Sequence, residues 1–252
     1  PSFSIYRLQA RLCGVELVQI PLNADFSFPF SQLLAKVNQN TALVFLTNPD
    51  NPSGYTARTE DLVGLARSLP STAMLVVDEA YIEFADDPEL YSPLSKLDEL
   101  DNVVLLRTFS KLYGLAGLRL GYGIMPAWLS DLLHRVKLPF SVNLLAEAAG
   151  LAALGDIFFA QASREAVLQG RRVLTEALQQ LGWTVCPSQA NFILVKPTCP
   201  AQLLIRDLLH RGYIIRSLDS YGLSNWVRIS IGTETENHGL VHACRDILEH
   251  YA

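Results

Sequence analysis

The sequence predicts an α/β fold in which a large domain with a mainly parallel sheet and flanking helices precedes a smaller α+β domain. Three short apolar runs, at 42–47, 74–78 and 103–106, have no polar break before their ends, as is typical of strands buried on both faces of a parallel sheet. Helical spacing between these runs favours right-handed βαβ units. In the last third of the chain, short strands alternate with helices. We place the domain boundary near residue 160, which gives domains at 1–160 and 161–252.

The first element is an amphipathic helix, because Ile5, Leu8 and Leu12 share one face and Gly14 is a typical residue after a helix C-terminus. The alternation of Val15–Leu22 predicts a strand. The next predicted elements are a short helix at 30–37, a strand at 42–47, a helix at 59–69 that Pro70 closes, a strand at 74–78, and an acidic surface connection at 86–101.

The second half of the chain begins with the buried strand at 103–106. A strand at 120–125 follows, then a helix that starts after Pro126. The helical stretch at 158–181 is long enough to bridge two domains. The other predicted elements are a break at P-F-S-V-N (139–143), helices at 144–154, 201–211 and 238–251, and strands at 184–187, 192–196, 213–216 and 226–231.

Composition and charge disfavour several classes of protein. Half of the 252 residues are hydrophobic, and the net charge of −5 comes from interspersed acids and bases, which favours neither nucleic acid nor a membrane surface. The four cysteines show no C-x-x-C spacing, which favours buried thiols in a reducing compartment. No apolar run approaches the roughly 20 residues that span a bilayer, and no signal peptide is recognised. We expect a cytoplasmic protein without a membrane partner.

Three buried-looking strands each end in a polar group: an amide at Asn51, a carboxylate at Asp78 and an amine at Lys111. A parallel sheet gathers such groups along one edge, where open α/β sheets bind their ligands. Partial desolvation there lowers the pKa of an amine and makes it a usable nucleophile. Taken alone, Lys111 is more typical of a surface lysine after a strand.

Four motifs carry a resemblance to a known family: N-P-D-N-P-S-G at 48–54, D-E-A-Y at 78–81, T-F-S-K at 108–111 and G-L-R-L-G at 117–121. The sequence resembles the fold-type I pyridoxal-phosphate aminotransferases, and within them the histidinol-phosphate aminotransferases. The resemblance extends through S-Q-A-N-F-I-L and V-R-I-S-I-G-T to cover essentially the whole chain. It implies transfer of an amino group between histidinol phosphate, or imidazole acetol phosphate, and glutamate or 2-oxoglutarate, in histidine biosynthesis. It also implies a homodimer whose partners are a small-molecule amino donor and a keto acceptor.

The resemblance assigns roles around pyridoxal 5'-phosphate. Lys111 would hold the cofactor as a Schiff base and move the substrate proton, and Asp78 would face the pyridine nitrogen. The remaining cofactor contacts implied are Phe3 stacked on the ring, Asn51 and Tyr81 at the 3-oxygen, and Thr108, Ser110 and Arg119 at the phosphate. From the residues alone, Phe3 is as typical of a core phenylalanine. The alternative for Arg119 is a surface ion pair, which its apolar neighbours Leu118 and Leu120 disfavour.

The substrate needs an anchor for its own anionic groups. Arg228 alternates with apolar neighbours in V-R-I-S-I-G-T, so it faces away from the expected core. By resemblance, Arg228 binds the glutamate carboxylate and the phosphate of histidinol phosphate. Asn191 is expected to line the same cleft, and Arg216 is another candidate for binding an anion. An exposed strand arginine is the alternative. His238 and His242 have metal-ligand spacing without an evident third ligand, so we expect no metal site.

Two departures from the family pattern leave rivals open. Ser141 stands where the histidinol-phosphate enzymes are expected to have Asn, and P-F-S-V-N also resembles the threonine-phosphate decarboxylases of cobalamin synthesis. Ser53 stands where Thr is commoner. A non-catalytic, aminotransferase-like sensor domain of a transcription regulator is a third candidate.

Members of the resembled family carry sequence upstream of Pro1, including an N-terminal arm and a Gly/Ser-rich phosphate turn, so we expect the chain to be N-terminally incomplete.

Overall fold

A computed structural model describes residues 3–251. The first sheet has the order β1-β2-β3-β4. Its strands are β1 (Leu43–Thr47), β2 (Met74–Asp78), β3 (Val103–Thr108) and β4 (Gly121–Ile124). β1 pairs with β2 and β2 with β3 in parallel, whereas β4 runs antiparallel to β3. The mainly parallel sheet is therefore confirmed. β4 is antiparallel: the twelve residues between β3 and β4 contain one short 3-10 helix (Ala116–Leu118) and no α-helix that could return the chain to the start of the sheet for parallel pairing.

The second sheet is antiparallel throughout and has the order β5-β6-β8-β7. Its strands are β5 (Thr184–Val185), β6 (Phe192–Lys196), β7 (Arg216–Ser217) and β8 (Val227–Ser230). This sheet confirms the α+β character of the C-terminal part. The predicted boundary near residue 160 falls in the first turn of the long helix that precedes this sheet, and it stays a prediction.

Nine α-helices lie among the described residues 3–251. They are α1 (Ser4–Leu12), α2 (Phe30–Leu34), α3 (Thr59–Ser68), α4 (Pro88–Tyr91), α5 (Ala127–Val136), α6 (Leu144–Gly155), α7 (Ile157–Gln180), α8 (Ala201–His210) and α9 (Glu234–Tyr251). Local chemistry sets several of their ends: the side chain of Asn143 caps α6 by accepting from the Ala146 N–H at 2.9 Å, and that of Asp156 caps α7 at Phe159. None of these helices alone is long and apolar enough to cross a membrane; only α6 and α7 together, across a 76° bend, satisfy those two criteria.

Two sequence-based predictions of elements are wrong. Val15–Leu22 forms no strand and is mostly exposed, because alternation alone provides no neighbouring strand to complete a ladder. The segment 86–101 is not a plain connection. It forms α4 and a 3-10 helix at Pro93–Glu99, which the side chains of Asp87 and Ser92 cap at their N-termini. The strand predicted at 213–216 is displaced along the chain: the observed strand is Arg216–Ser217, so only Arg216 of the predicted range belongs to it.

Each sheet has its own hydrophobic core. In the first, α3 packs Leu62 and Leu65 against Leu75 and Leu105 of the sheet. The second core joins β6 and β8 to α7, α8 and α9 through residues such as Leu174, Leu178, Ile193, Leu204 and Ile247. A smaller cluster of Tyr81, Phe84, Leu112, Ala190 and Phe192 connects residues from both parts of the chain. The candidate site lies beside this third cluster.

Candidate active site

The parallel register places the ends of three strands at one edge of the first sheet. Thr47 at the end of β1 is level with Asp78, and Asp78 is level with Leu106 of β3. The polar turn at 48–54 leaves β1 at this edge, where the Asn48 N–H donates to the Asp78 carbonyl at 2.8 Å. Asn51 is buried in this turn. The predicted gathering of the Asn51 turn, Asp78 and the Lys111 turn along one edge follows from this topology.

Asp78 is a largely buried carboxylate with two donors. One oxygen accepts from the Ala80 N–H at 3.0 Å, and the other accepts from the hydroxyl of Tyr6 on α1. Burial raises the pKa of Asp78, while the Tyr6 and Ala80 hydrogen bonds and the charge of Lys111 lower it. These contacts hold the carboxylate in place and offset part of the cost of ionising it.

Lys111 lies close to both Asp78 and Tyr81. Its ammonium is 5.0 Å from the centroid of the Tyr81 ring, and its charge acts on the Asp78 carboxyl. Within residues 3–251, the ammonium forms neither a hydrogen bond nor an ion pair. The predicted surface alternative is wrong in this respect, because Lys111 is half-buried between two predicted site residues. Its Nζ therefore has no competing hydrogen-bond partner in the described part of the chain.

The segment after β3 folds back onto the end of that strand. The Phe109 N–H donates to the Leu120 carbonyl at 3.1 Å, and the Thr108 hydroxyl contacts the same carbonyl at 3.3 Å while accepting from the Ser110 N–H at 3.1 Å. Arg119, next to Leu120 in the chain, is thereby brought to this strand end. Its exposed guanidinium donates to the Ala116 carbonyl at 2.7 Å rather than to a side chain of the site. The structure places Thr108 and Ser110 together, with Arg119 beside them.

Phe3 reaches the site through Tyr6. The two rings meet edge to face with centroids 5.8 Å apart, and Tyr6 in turn stacks on Phe45 at 4.8 Å. Phe3 is 38% exposed, so the alternative of a core phenylalanine is wrong. Phe3 thus contacts the ring whose hydroxyl donates to Asp78, and it remains partly exposed.

Arg228 joins the second sheet to the first. Its Nη1 donates to the Asn51 side-chain oxygen at 2.6 Å, and its guanidinium lies 4.7 Å from the centroid of the Phe192 ring. Phe192 packs edge to face against Tyr81 at 5.1 Å. A chain of contacts thus runs from Lys111 to Asn51 across both sheets.

A cleft of about 530 Å³ opens at Arg228 and Arg216, which face each other on β8 and β7. Neither guanidinium has a carboxylate partner in the described part of the chain. The Arg228 Nε is buried and has no hydrogen-bond acceptor there. An unpaired buried donor is costly, so this cleft is suited to an anion that supplies the missing acceptor. The alternative of an ordinary exposed strand arginine is wrong for Arg228.

Asn191 lies at the entrance to β6, where its carbonyl accepts from the Ile231 N–H at 2.9 Å. That hydrogen bond fixes the backbone at the point where β6 begins beside the end of β8. The predicted role of its side chain stays a prediction.

Several residues of the site were not predicted. Tyr6 lies one helical turn after Phe3, so its proximity to that residue could have been found from helical spacing. Phe192 and Phe45 carry no such signal, because their contacts depend on how the strands pack.

These features define a class of protein. A half-buried lysine beside a largely buried acid and a pair of arginines converge at the carboxyl edge of a mainly parallel sheet, which is the arrangement of an α/β enzyme acting on small anionic molecules. Residues 1–244 match the family described as Aminotransferase class I and II. The chain belongs to this family.

Relatives and solved structures agree with this assignment. The chain is 50% identical over 250 residues to the histidinol-phosphate aminotransferase of Nitratidesulfovibrio vulgaris, a match that covers 99% of this chain and 67% of the relative. The structure of histidinol-phosphate aminotransferase from Sinorhizobium meliloti, in complex with pyridoxal-5'-phosphate, is similar with a TM-score of 0.91 at 30% identity, covering 100% of this chain and 69% of that one. L-threonine-O-3-phosphate decarboxylase from Porphyromonas gingivalis is similar with a TM-score of 0.81 at 26% identity, covering 99% and 75%. The predicted aminotransferase fold is confirmed.

Proposed function

We propose that this chain is the major part of a pyridoxal-phosphate-dependent aminotransferase that exchanges an amino group between histidinol phosphate and 2-oxoglutarate. The observation that carries the proposal is the Lys111 ammonium beside the Asp78 carboxylate and the Tyr81 ring, without a hydrogen bond or ion pair to any described residue. Identity of 50% to a histidinol-phosphate aminotransferase supports the substrate class. The chain spans about two thirds of that relative's length, so the activity belongs to the whole protein.

The residues at the sheet edge fit the cofactor. Asp78 offers a buried negative charge for a protonated pyridine nitrogen, and the Ser110 side chain and Thr108 offer hydroxyls for a phosphate. Lys111 would hold the cofactor carbon covalently. The other residues that would hold it are Phe3 at the ring face, Asn51 and Tyr81 at the 3-oxygen, and Arg119 at the phosphate. When bound, pyridoxal phosphate supplies an electron-withdrawing ring that makes the proton on the substrate Cα acidic.

Lys111 is the base that takes this proton. Its Nζ forms no hydrogen bond or ion pair with any described residue, and in this proposal it accepts the proton from the substrate Cα and returns it. Burial raises the pKa of Asp78, and the Tyr6 and Ala80 donors oppose this by favouring the ionised form that the cofactor ring would need. The chain thus contributes one mobile proton carrier and one fixed charge.

Arg228 and Arg216 bind the anionic end of the substrate. The forked guanidinium of Arg228 matches a carboxylate or phosphate, and its Nε has no other acceptor in the described chain. Glutamate presents a carboxylate and histidinol phosphate presents a phosphate to the same cleft. Asn191, at the start of β6, is proposed to line this cleft.

Exposed apolar side chains on α5, α6 and α7 support a homodimer. Leu144 is 78% exposed and Phe158 85% exposed, and a face of this kind is suited to burial against a second copy. The cysteines at 13, 186, 199 and 244 are unpaired, which supports a reducing compartment such as the cytoplasm. Both the dimer and the location are part of the proposal.

A comparison of two reactions tests the proposal with the purified full-length protein loaded with cofactor. Histidinol phosphate with 2-oxoglutarate is expected to give glutamate, whereas threonine phosphate alone is expected to release no carbon dioxide. Carbon dioxide release without amino transfer would establish the decarboxylase, which the similarity to L-threonine-O-3-phosphate decarboxylase keeps as the second candidate. Absence of both reactions would overturn the enzymatic proposal.

A further inference from the structure

Arg171 of α7 is a buried arginine outside the substrate cleft. It is 7% exposed. Its Nη1 donates to the carbonyls of Phe84 and Ala190, both at 3.0 Å, and its Nη2 donates to the Asp86 carboxylate at 2.6 Å. One guanidinium therefore ties two loop segments to the long helix that links the sheets.

Gln189 completes the connection. Its amide nitrogen donates to Asp86 Oδ2 at 3.0 Å, and its amide oxygen accepts from the Asp86 N–H at 2.7 Å. The Gln189 backbone N–H donates to the Gly54 carbonyl at 3.0 Å. A third segment, the polar turn that holds Asn51, is thereby joined to the hydrogen-bonded group formed by Arg171, Asp86 and Gln189.

Each tied segment leads directly to a residue of the candidate site. The segment that contains Phe84 follows Tyr81, and the segment that contains Ala190 precedes Phe192. Tyr81 lies under the Lys111 ammonium, and Phe192 lies under the Arg228 guanidinium. The distance between the lysine side and the arginine side of the site depends on how these segments are held.

We infer that Arg171 is a positioning residue that sets the separation between Lys111 and Arg228 by fixing the Tyr81 and Phe192 segments to each other. This inference rests on the proposed function, because it concerns the same site. Arg171 touches neither substrate nor cofactor groups; it acts through the backbone at 84 and 190. Lysine cannot replace it, because a single ammonium cannot reproduce the planar fork that reaches three acceptors.

Arg171→Lys tests the inference, with Arg172→Lys as the matched control. Arg172 is the next residue of α7 and is exposed. In the full-length protein, Arg171→Lys is expected to raise the KM for glutamate about 10-fold while kcat falls less, since Arg228 is displaced relative to the reacting centre. Arg172→Lys is expected to keep both within about twofold. The inference would be overturned if kcat and the KM for glutamate of Arg171→Lys, calculated per folded active site, stayed within twofold of the wild-type values. This holds whatever the Tm of the variant.

A second readout does not depend on activity. Hydrogen exchange of the cofactor-free protein is expected to quicken at 82–86 and at 188–194 in Arg171→Lys but not in Arg172→Lys. Unchanged exchange in both segments would also reject the inference. If wild type and Arg172→Lys lack aminotransferase activity, the proposed function fails, while the exchange experiment still decides on the coupling.

A milder variant covers the case in which Arg171→Lys does not fold. The side chain of Asp86 is 67% exposed, so Asp86→Asn is expected to fold normally. It weakens the charge-assisted bond to Arg171, and the KM for glutamate is expected to rise about 3-fold with kcat nearly unchanged. An unaltered KM would count against the coupling.

Discussion

The charge of Asp78 depends on contacts from separate parts of the chain. Tyr6 comes from α1, and Lys111 comes from the turn after β3. Burial alone raises the pKa of this carboxyl, and these neighbours lower it. At the scale of single residues, the candidate chemistry therefore depends on tertiary structure even where a motif identifies the acid.

Asp78→Asn tests the acid directly. Asparagine keeps the size of the side chain, so folding is expected to be normal. Loss of a fixed negative charge is expected to slow turnover of histidinol phosphate about 100- to 1,000-fold. The measurement is kcat of the loaded enzyme, with Asp98→Asn, at an exposed position, as the control. Turnover within a few fold of wild type would show that Asp78 is not the partner of the cofactor ring.

Tyr6→Phe tests the newly found neighbour. The Tyr6 hydrogen bond lowers the pKa of Asp78, so its removal raises that pKa. Asp78 then gains its proton at a higher pH during acidification, and the acid limb of the pH–rate profile is expected to move to higher pH. Tyr91→Phe serves as the control. An acid limb that stays in place or moves to lower pH would contradict the role given to Tyr6.

At the scale of elements, the turn after β1 and the loop before β6 pack backbone against backbone. Gly54 has φ +77°, and a Cβ there would lie 2.2 Å from Ser188 Oγ and 3.0 Å from Ser188 Cα. Only glycine avoids both the strained conformation and the overlap. The Gly in N-P-D-N-P-S-G is thus required by the contact between the two parts of the chain.

Gly54→Ala and Gly64→Ala make a matched pair. Gly54→Ala is expected to lower the free energy of unfolding by about 2–3 kcal/mol. Gly64 lies inside α3 with open space around its Cα, so Gly64→Ala is expected to raise it by about 0.5–1 kcal/mol. Chemical denaturation measures both. Equal effects of the two substitutions would show that the approach of Ser188 does not constrain Gly54.

The parallel elements were predictable because each apolar run is short, unbroken and followed by a polar turn. The sequence therefore located Asn51, Asp78 and Lys111 at one edge. The direction of β4 and the irregular segment at 15–22 were not predictable, since both depend on whether a neighbouring strand is available. The stacking of Arg228 on Phe192 likewise depends on the packing of one sheet against the other.

At the scale of the whole molecule, a largely buried charge cluster at the carboxyl edge of the first sheet links stability to pH. Arg107 of β3 pairs with the fully buried Glu79 at 2.9 Å, and Glu83 lies near both. Burial and the charge of Glu79 raise the pKa of Glu83 from 4.5 to about 7, although Arg107 lowers it. Between these two pH values the folded state binds more protons at Glu83 than the unfolded state does, so this residue makes stability fall as pH rises.

Glu83→Gln removes this dependence. At pH 8 the variant is expected to be more stable than wild type by about 1–3 kcal/mol, because no buried carboxylate has to ionise. At pH 5 the difference is expected to be small, since wild-type Glu83 is then largely protonated in the folded state. Thermal unfolding at pH 5 and at pH 8 measures this difference in stability. Glu89→Gln, at an exposed position, is the control. A pH-independent difference would exclude Glu83 as the source.

The central claim is that groups from three parallel strands converge on one cofactor, with Lys111 as its covalent anchor. Borohydride reduction of the cofactor-loaded, full-length protein, followed by peptide mass spectrometry, tests this claim most directly. The account predicts a cofactor label on Lys111, none on Lys36, Lys96, Lys137 or Lys196, and loss of the label in Lys111→Ala. A label on another lysine, or an active enzyme without a label at Lys111, would contradict it.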